Sequence, residues 1–247
     1  MRITLLCCLF LLASPAHALT VAAASSLRLV MPELERAFTA HHPKASVRVI
    51  FGASGKLATQ ILNGAPYDVF LSADDVYSQR LVDEGAAVHP PVNYASGRLV
   101  LWHKDPALGP LQPEALASDQ IRRIAIAQPR HAPYGQRTAE ALKALGLWQQ
   151  VEPRLVYGEN IGQTTAMVES GAADAGLIAW SLTFAPELAD RPFTLIDREL
   201  HRPLDMAMVI TAGGQDEPDA RVFYDFMLSD EARSILMQYG FEPPAEP

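Results

Sequence analysis

Four short turns carry the residues of this chain that are best suited to bind a ligand. In each turn an apolar, strand-like run ends at small or polar residues, and a helix-like run begins immediately afterwards. The turns span residues 22–27, 51–57, 131–136 and 157–163. Each places backbone N–H groups at a helix N-terminus, where the macrodipole is equivalent to about half a positive charge. Four such turns in one chain predict a cradle for a small anion.

Hydroxyl groups accompany the backbone donors in these turns. Ser25 and Ser26 stand where a helix N-cap belongs, and Ser54 is flanked by small residues that let another group approach the backbone. The other two turns contribute Tyr134 and Ile161. Each serine taken alone is explained by capping, and it is the conjunction of four turns that favours anion binding.

The run Gly52-Ala53-Ser54-Gly55-Lys56 comes close to two enzyme motifs. The P-loop needs four residues between its glycines and a Ser or Thr after the lysine, whereas this run has two residues and is followed by Leu57. The nucleophile elbow needs a final glycine where Lys56 stands. A secreted serine hydrolase that uses Ser54 stays a minor alternative, because histidines outside any recognised motif lie downstream. They are His89, His103, His131 and His201.

Neither metal ions nor nucleic acids fit the composition. His41 and His42 are adjacent at a predicted helix end, so their rings point in different directions, and Asp68, Asp74 and Asp75 are too few for a calcium site. We therefore expect no direct metal ligand and no cofactor. Beyond residue 18 the chain carries 19 basic and 28 acidic residues, a net charge of −9, which argues against nucleic acid or an anionic membrane as partner.

Residues 1–18 are predicted to be a signal peptide. A single positive charge precedes an apolar run that is too short to span a bilayer, and Ala16-His17-Ala18 fits a cleavage site. Both cysteines, Cys7 and Cys8, lie in this segment. The mature protein, starting at Leu19, is therefore expected to be periplasmic, with no disulfide and no thiol site.

The remainder of the chain alternates strand-like and helix-like runs, which predicts parallel sheets with helices on both faces. The segments near residue 98 and at 204–211 are the natural crossings between two such units. We expect one lobe at 19–97, a second at 98–204, and a return to the first lobe at 205–247. Ligands bind beyond the carboxyl ends of the strands in such folds, so two facing lobes would bring the four turns to one cleft.

Three local predictions follow from the pattern. The first regular helix is expected to begin near Pro32, because a proline further inside would cost a hydrogen bond. A strand is expected over residues 121–127, and a terminal helical region over 220–239.

Several motifs together resemble one family. They are Thr20-Val21-Ala22-Ala23-Ala24-Ser25-Ser26-Leu27, Gly52-Ala53-Ser54-Gly55-Lys56-Leu57-Ala58, Gly64-Ala65-Pro66-Tyr67-Asp68-Val69-Phe70-Leu71-Ser72-Ala73-Asp74 and Tyr239-Gly240-Phe241. This combination resembles the periplasmic molybdate-binding proteins of molybdate ABC importers, the ModA family. The resemblance implies an α/β, two-lobed periplasmic binding protein fold of type II, with two mixed sheets, flanking helices and a ligand cleft between the lobes. It also implies a binding protein rather than an enzyme, which captures molybdate or tungstate and delivers the oxyanion to a membrane permease.

The resemblance also implies which residues hold the oxyanion. The first serine ligand falls on Ser26, with Ser25 beside it as a further donor, and the second serine ligand falls on Ser54. The loop after the third turn supplies a donor at Tyr134, and the fourth helix start supplies the backbone N–H of Ile161.

One departure from the family pattern concerns a strand that here reads Gly176-Leu177-Ile178-Ala179-Trp180. The best-studied branch has a tyrosine ligand at the position of Ala179, so its hydroxyl is missing here. Tyr134 replaces a small residue of the same branch. We hypothesise that the Tyr134 phenol supplies the missing donor from the other side of the pocket.

The implied ligands are all donors, which narrows the class of anion. Hydroxyl and N–H groups suit a fully deprotonated oxyanion such as molybdate, tungstate or sulfate, whereas phosphate keeps a proton that needs an acceptor. A binding protein of the same fold for another oxyanion, such as sulfate, is the main alternative. A protein that docks on a permease is expected to be monomeric.

Overall fold

The computed structural model describes residues 18–103, 105, 109–185, 188 and 191–244. The predicted signal peptide, with Cys7 and Cys8, lies almost entirely outside the described residues. Among the described helices, none is long and apolar enough to cross a membrane.

The described chain forms ten strands and eight α-helices, joined by short 3₁₀ turns. The strands are β1 (Leu19–Ala24), β2 (Val47–Gly52), β3 (Val69–Leu71), β4 (Val92–Ser96), β5 (Leu99–His103), β6 (Ile124–Ala127), β7 (Leu155–Gly158), β8 (Ala175–Ala179), β9 (Phe193–Leu195) and β10 (Asp205–Ile210). The helices are α1 (Met31–His41), α2 (Ser54–Leu62), α3 (Asp75–Asp83), α4 (Pro133–Ala144), α5 (Trp148–Val151), α6 (Ile161–Glu169), α7 (Pro218–Met227) and α8 (Asp230–Gln238).

These strands form two mixed sheets of five strands each, as the family resemblance predicts. The first sheet has the order β2-β1-β3-β10-β4, and the second has the order β7-β6-β8-β5-β9. In the first sheet β1 runs parallel to β2 and β3, while β10 runs antiparallel to β3 and β4. In the second sheet β6 runs parallel to β7 and β8, while β5 runs antiparallel to β8 and β9. The parallel sheets expected from the alternation alone are thus wrong at β10 and β5, each of which runs opposite to the other four strands of its sheet.

The chain passes between the sheets twice, and the two crossings touch. The first crossing joins β4 to β5 through Gly97, and the second joins β9 to β10. The N–H of Gly97 donates to the carbonyl of Leu204 at 2.9 Å, which fastens one crossing to the other. After β10 the last two helices return to the first sheet, where the Phe38 ring of α1 lies 5.2 Å from the Phe223 ring. The lobe boundaries near 97 and 204 stay a prediction, but both strand crossings fall close to them.

Proline and capping chemistry explain where the first and last helices begin. Residues 25–27 form a 3₁₀ turn, and α1 then starts at Met31 with Pro32 in its first turn, where a missing N–H costs nothing. The prediction for Pro32 is confirmed. The predicted C-terminal helical region consists of two helices, because the Ser229 hydroxyl accepts from the N–H of Ala232 and begins a new helix.

The strand expected over 121–127 is shorter than predicted. The N–H groups of Arg122 and Arg123 both donate to one carboxylate oxygen of Asp174, at 2.8 Å each. These bonds hold the backbone out of the ladder, and β6 therefore begins only at Ile124.

Close backbone contact between β6 and α4 requires a glycine. A Cβ built on Gly135 would overlap the carbonyl oxygen of Ala127, the last residue of β6. The first turn of α4 therefore sits directly on the carboxyl end of that strand, in an arrangement that no larger residue permits.

We expect Gly135→Ala to lower the free energy of unfolding by about 1–3 kcal/mol, because backbone must move to relieve the overlap. Urea denaturation measures the change. Gly213→Ala is the matched control, since its added Cβ meets only ordinary contacts at 3.6 Å. Equal stability of the two variants would contradict the close contact.

Candidate functional site

The five residues that the sequence predicts as ligands line one small cavity between the two sheets. They are Ser25, Ser26, Ser54, Tyr134 and Ile161. The rest of the lining is backbone and small side chains. Those residues are Ala24, Gly52, Ala53, Ala73, Ala132 and Pro133.

Each ligand candidate directly follows a strand and begins a helix or turn. The two adjacent serines follow β1, Ser54 opens α2 after β2, Tyr134 is the second residue of α4 after β6, and Ile161 opens α6 after β7. The first N–H groups of a helix have no partner within it. The four turns therefore aim backbone donors and the positive ends of helix dipoles into one space, two from each sheet.

The hydroxyls of Ser54 and Ser25 differ in what they can offer. The Ser54 oxygen accepts a hydrogen bond from the N–H of Ala73 at 3.0 Å, so its own proton is free for donation. The Ser25 hydroxyl donates to the carbonyl of Gly52 at 3.1 Å. The Ser25 side chain thus joins the turn after β1 to β2, and its proton is not available to a ligand in this arrangement.

Two other hydroxyls at the cavity are buried with no hydrogen-bond partner in the described structure. They belong to Ser26, which is 0% exposed, and Tyr134, which is 2% exposed. An unpaired buried polar group costs about 1–3 kcal/mol. Burial also raises the pKa of the Tyr134 phenol far above its ordinary value, and the neighbouring Ser26 hydroxyl lowers it only in part, so the phenol keeps its proton at neutral pH. Both hydroxyls are therefore available as donors to an acceptor inside the cavity.

The fourth turn offers backbone donors from a well-capped helix. The Asn160 side chain accepts from the N–H of Gln163 at 3.0 Å and fixes the start of α6. Two residues after Asn160, a Cβ built on Gly162 would lie 3.4 Å from the Cβ of Ser25. This helix start thus lies close against the first serine turn of the opposite sheet.

Hydrogen bonds across the cleft hold the two halves together around the cavity. The N–H of Gly55 donates to the carbonyl of His131 at 2.9 Å. Lys56 pairs with Glu159 at 2.7 Å, although both side chains are about half exposed and such pairs contribute little. The geometry is that of a closed cleft.

Sequence analysis missed two residues that shape this site. The Ser181 hydroxyl, from the turn after β8, donates to the carbonyl of Ser26 at 2.8 Å and fixes that turn from the opposite half. Gly97 leaves room for the tyrosine, because a Cβ there would overlap the Tyr134 hydroxyl. A lone serine and a lone glycine carry no local signal, and only the tertiary fold brings them to the cavity.

Ala179, where the best-studied branch has a tyrosine, is fully buried at the end of β8 and does not line the cavity. His41 pairs with Glu231 at the protein surface. In the part of the chain that the structure describes, no group of three or more His, Cys, Asp or Glu side chains could hold a metal ion.

The known proteins that this chain resembles are extracellular solute-binding proteins. The model of the bacterial extracellular solute-binding protein family matches residues 19–242. The chain is 35% identical over 233 residues to the molybdate-binding protein ModA of Rhodobacter capsulatus, which covers 93% of this chain and 91% of that protein. The chain belongs to the ModA family of bacterial extracellular solute-binding proteins.

Solved structures of this family and of related proteins share the fold. The periplasmic molybdate-binding protein of Azotobacter vinelandii superposes with a TM-score of 0.86 at 32% identity, over 92% of this chain and all of that one. The sulfate-binding protein SubI of Mycobacterium tuberculosis superposes with a TM-score of 0.75 at 16% identity, over 92% of this chain and 87% of that one. At that identity the second likeness shows the fold alone.

We expect Gly97→Ala to weaken oxyanion binding about 10-fold to 100-fold, because the added methyl group displaces the Tyr134 hydroxyl and removes one donor. Titration calorimetry measures the dissociation constant. In the double variant with Tyr134→Phe the overlap is gone, so Gly97→Ala should add little further loss. Additive losses in the double variant would show that Gly97 acts independently of the phenol.

Proposed function

We propose that this protein captures molybdate or tungstate in the periplasm and delivers it to the permease of an ABC importer. The proposal rests on one observation above all. Two buried hydroxyls, of Ser26 and Tyr134, have no partner in the described structure and face a cavity lined by donors from both halves. The names of the relatives, which describe molybdate binding, support the same ligand.

The cavity suits a fully deprotonated oxyanion. Its side-chain polar groups are hydroxyls, and the described residues that line it include no carboxylate and no histidine. Fixed O–H and N–H dipoles replace the hydration of a dianion without a full countercharge, and each bond to the charged ligand contributes about 1.5–3 kcal/mol. For an anion that still carries a proton, the described lining offers no carboxylate to accept that proton's hydrogen bond.

Binding and closure are coupled, because the donors come from both halves. Ser26 and Ser54 follow strands of the first sheet, while Tyr134 and Ile161 follow strands of the second. An anion that contacts all four therefore stabilises the closed arrangement over an open one. Closure around the hinge at Gly97 would present a distinct surface to the permease.

The remaining parts of the proposal follow from composition and from the site. The signal peptide is cleaved after Ala18, and the mature protein works in the periplasm as a monomer, without cofactor and without a nucleic-acid partner. We propose no catalytic activity, since a serine nucleophile needs a base within hydrogen-bond reach. The Ser54 hydroxyl instead accepts from a backbone N–H, that of Ala73.

Thermal-shift titration of the protein from Leu19 onward tests the ligand. Anion at 100 times its dissociation constant adds about 2.7 kcal/mol, or roughly 5–10 °C for a domain of this size. We expect a shift with molybdate and tungstate and none with sulfate or phosphate. A shift with sulfate alone would keep the fold and replace the ligand, and no shift with any oxyanion would refute the proposal.

Substitution of Tyr134 tests whether its phenol compensates for the alanine at position 179. We expect Tyr134→Phe to weaken molybdate binding by about 1.5–3 kcal/mol, because one hydrogen bond to a charged group is lost. Titration calorimetry gives the value. Tyr94→Phe is the control, since that buried phenol donates to the Ser72 carbonyl and does not line the cavity. Unchanged affinity in Tyr134→Phe would show that the phenol is not a ligand.

A further inference from the structure

A buried carboxyl group lies directly behind the wall of the cavity. Asp74 is 1% exposed and follows Ala73, whose N–H holds the Ser54 hydroxyl at 3.0 Å. One carboxylate oxygen of Asp74 accepts from the Tyr77 N–H at 3.4 Å and from the Ser72 hydroxyl at 3.3 Å. The other oxygen is buried and has no hydrogen-bond partner in the described structure.

Helix capping and the helix dipole favour an acid at this position, but the cap does not require one. The N-cap of α3 needs one acceptor oxygen, and the chain uses an amide for that purpose at Asn160 and a hydroxyl at Ser229. Either group would spare the protein a buried charge. The second oxygen of Asp74 is therefore surplus to the cap.

We propose that Asp74 couples anion binding to proton uptake, so that its carboxyl group is protonated when a dianion occupies the cavity. The inference rests on the proposed function. Asp74 is the residue next to Ala73 of the cavity lining and is buried, so its ionised carboxylate and a bound dianion would repel each other with little screening by water. Protonation removes the repulsion and supplies a proton for the oxygen that lacks a partner.

The groups around Asp74 have opposing effects on its pKa. Burial raises the pKa of Asp74, and neighbouring Asp75 raises it further, while the Tyr77 N–H, Arg137 and Ser72 lower it. Arg137 reaches from α4 in the opposite half, but it is already engaged with the Pro203 carbonyl and the Glu140 carboxylate. The other ionisable or charged groups on adjoining elements are Tyr77, Tyr94, Arg202 and Asp205.

The direction of the pH effect follows from linkage. An anion in the cavity raises the pKa of Asp74 above its value in the free protein, so the complex holds more protons. Affinity is highest below the free-state pKa, falls by up to about tenfold per pH unit between the two pKa values, and is constant again above the bound-state pKa. Because burial already raises the free-state pKa of Asp74 above the ordinary aspartate value, the window begins above that value.

Calorimetric titration with molybdate, in buffers of different ionisation enthalpy, counts the protons taken up. Measured from about pH 5 to about pH 8, the wild-type protein should take up part of a proton at the acidic end. Asp74→Asn should take up none, should show nearly flat affinity, and should bind more tightly than wild type at the alkaline end. Protonation of molybdate itself is common to both proteins and cancels in the comparison.

Asp75→Asn is the matched control: it removes the adjacent but exposed carboxylate, so proton uptake should persist but move to lower pH, because Asp75 no longer raises the pKa of Asp74. Asp74→Ser keeps a capping oxygen on α3 and serves if the asparagine variant does not fold. Wild-type binding without proton uptake, or equal uptake in Asp74→Asn, would overturn the coupling and leave the proposed function intact. Absence of any molybdate binding by the wild type would overturn both.

Discussion

The carboxyl ends of β1, β2, β6 and β7 face a single cavity, two from each sheet, and this convergence governs the rest of the site. A helix or turn starts at each of these ends, so backbone N–H groups without intrahelical partners accumulate in one place. Such groups need acceptors, and water can supply them only while the cleft is open. Once the halves close, a ligand rich in acceptor oxygens is the natural substitute. The protein thereby holds an anion although the chain beyond residue 18 carries a net charge of −9.

Small residues make this convergence sterically feasible. Gly135 lets α4 rest on the end of β6, Gly162 lets α6 approach the serine turn, and Gly97 leaves room for the Tyr134 hydroxyl. Each is a place where a Cβ would meet backbone or a ligand candidate. The donors are therefore positioned by close backbone packing on regular elements, which limits their freedom more than long side chains on loops would.

The sequence predicts the part of the structure that local chemistry determines. Alternating strand and helix runs, the Pro32 helix start and the residues around the cavity follow from patterns within a few positions of one another. What it could not predict depends on contacts distant in the chain. The edge strands β4 and β9 are short and only partly apolar, the start of β6 depends on Asp174, and Ser181 meets Ser26 across 155 positions. The motifs alone also suggested Ser25 as a free donor, whereas its bond to Gly52 appears only once β2 lies beside β1.

The described residues that line the cavity include no lysine and no arginine, and this affects which anions the site selects. A cavity that neutralised its ligand with lysine or arginine would hold many anions by charge alone, since such side chains adapt to size and shape. Fixed hydroxyls and N–H groups must instead match the positions of the ligand oxygens, because a donor left unpaired in a closed cleft costs about as much as a formed bond returns. Selection among anions must then depend on the number and spacing of hydrogen bonds. The site therefore distinguishes tetrahedral oxyanions by their size.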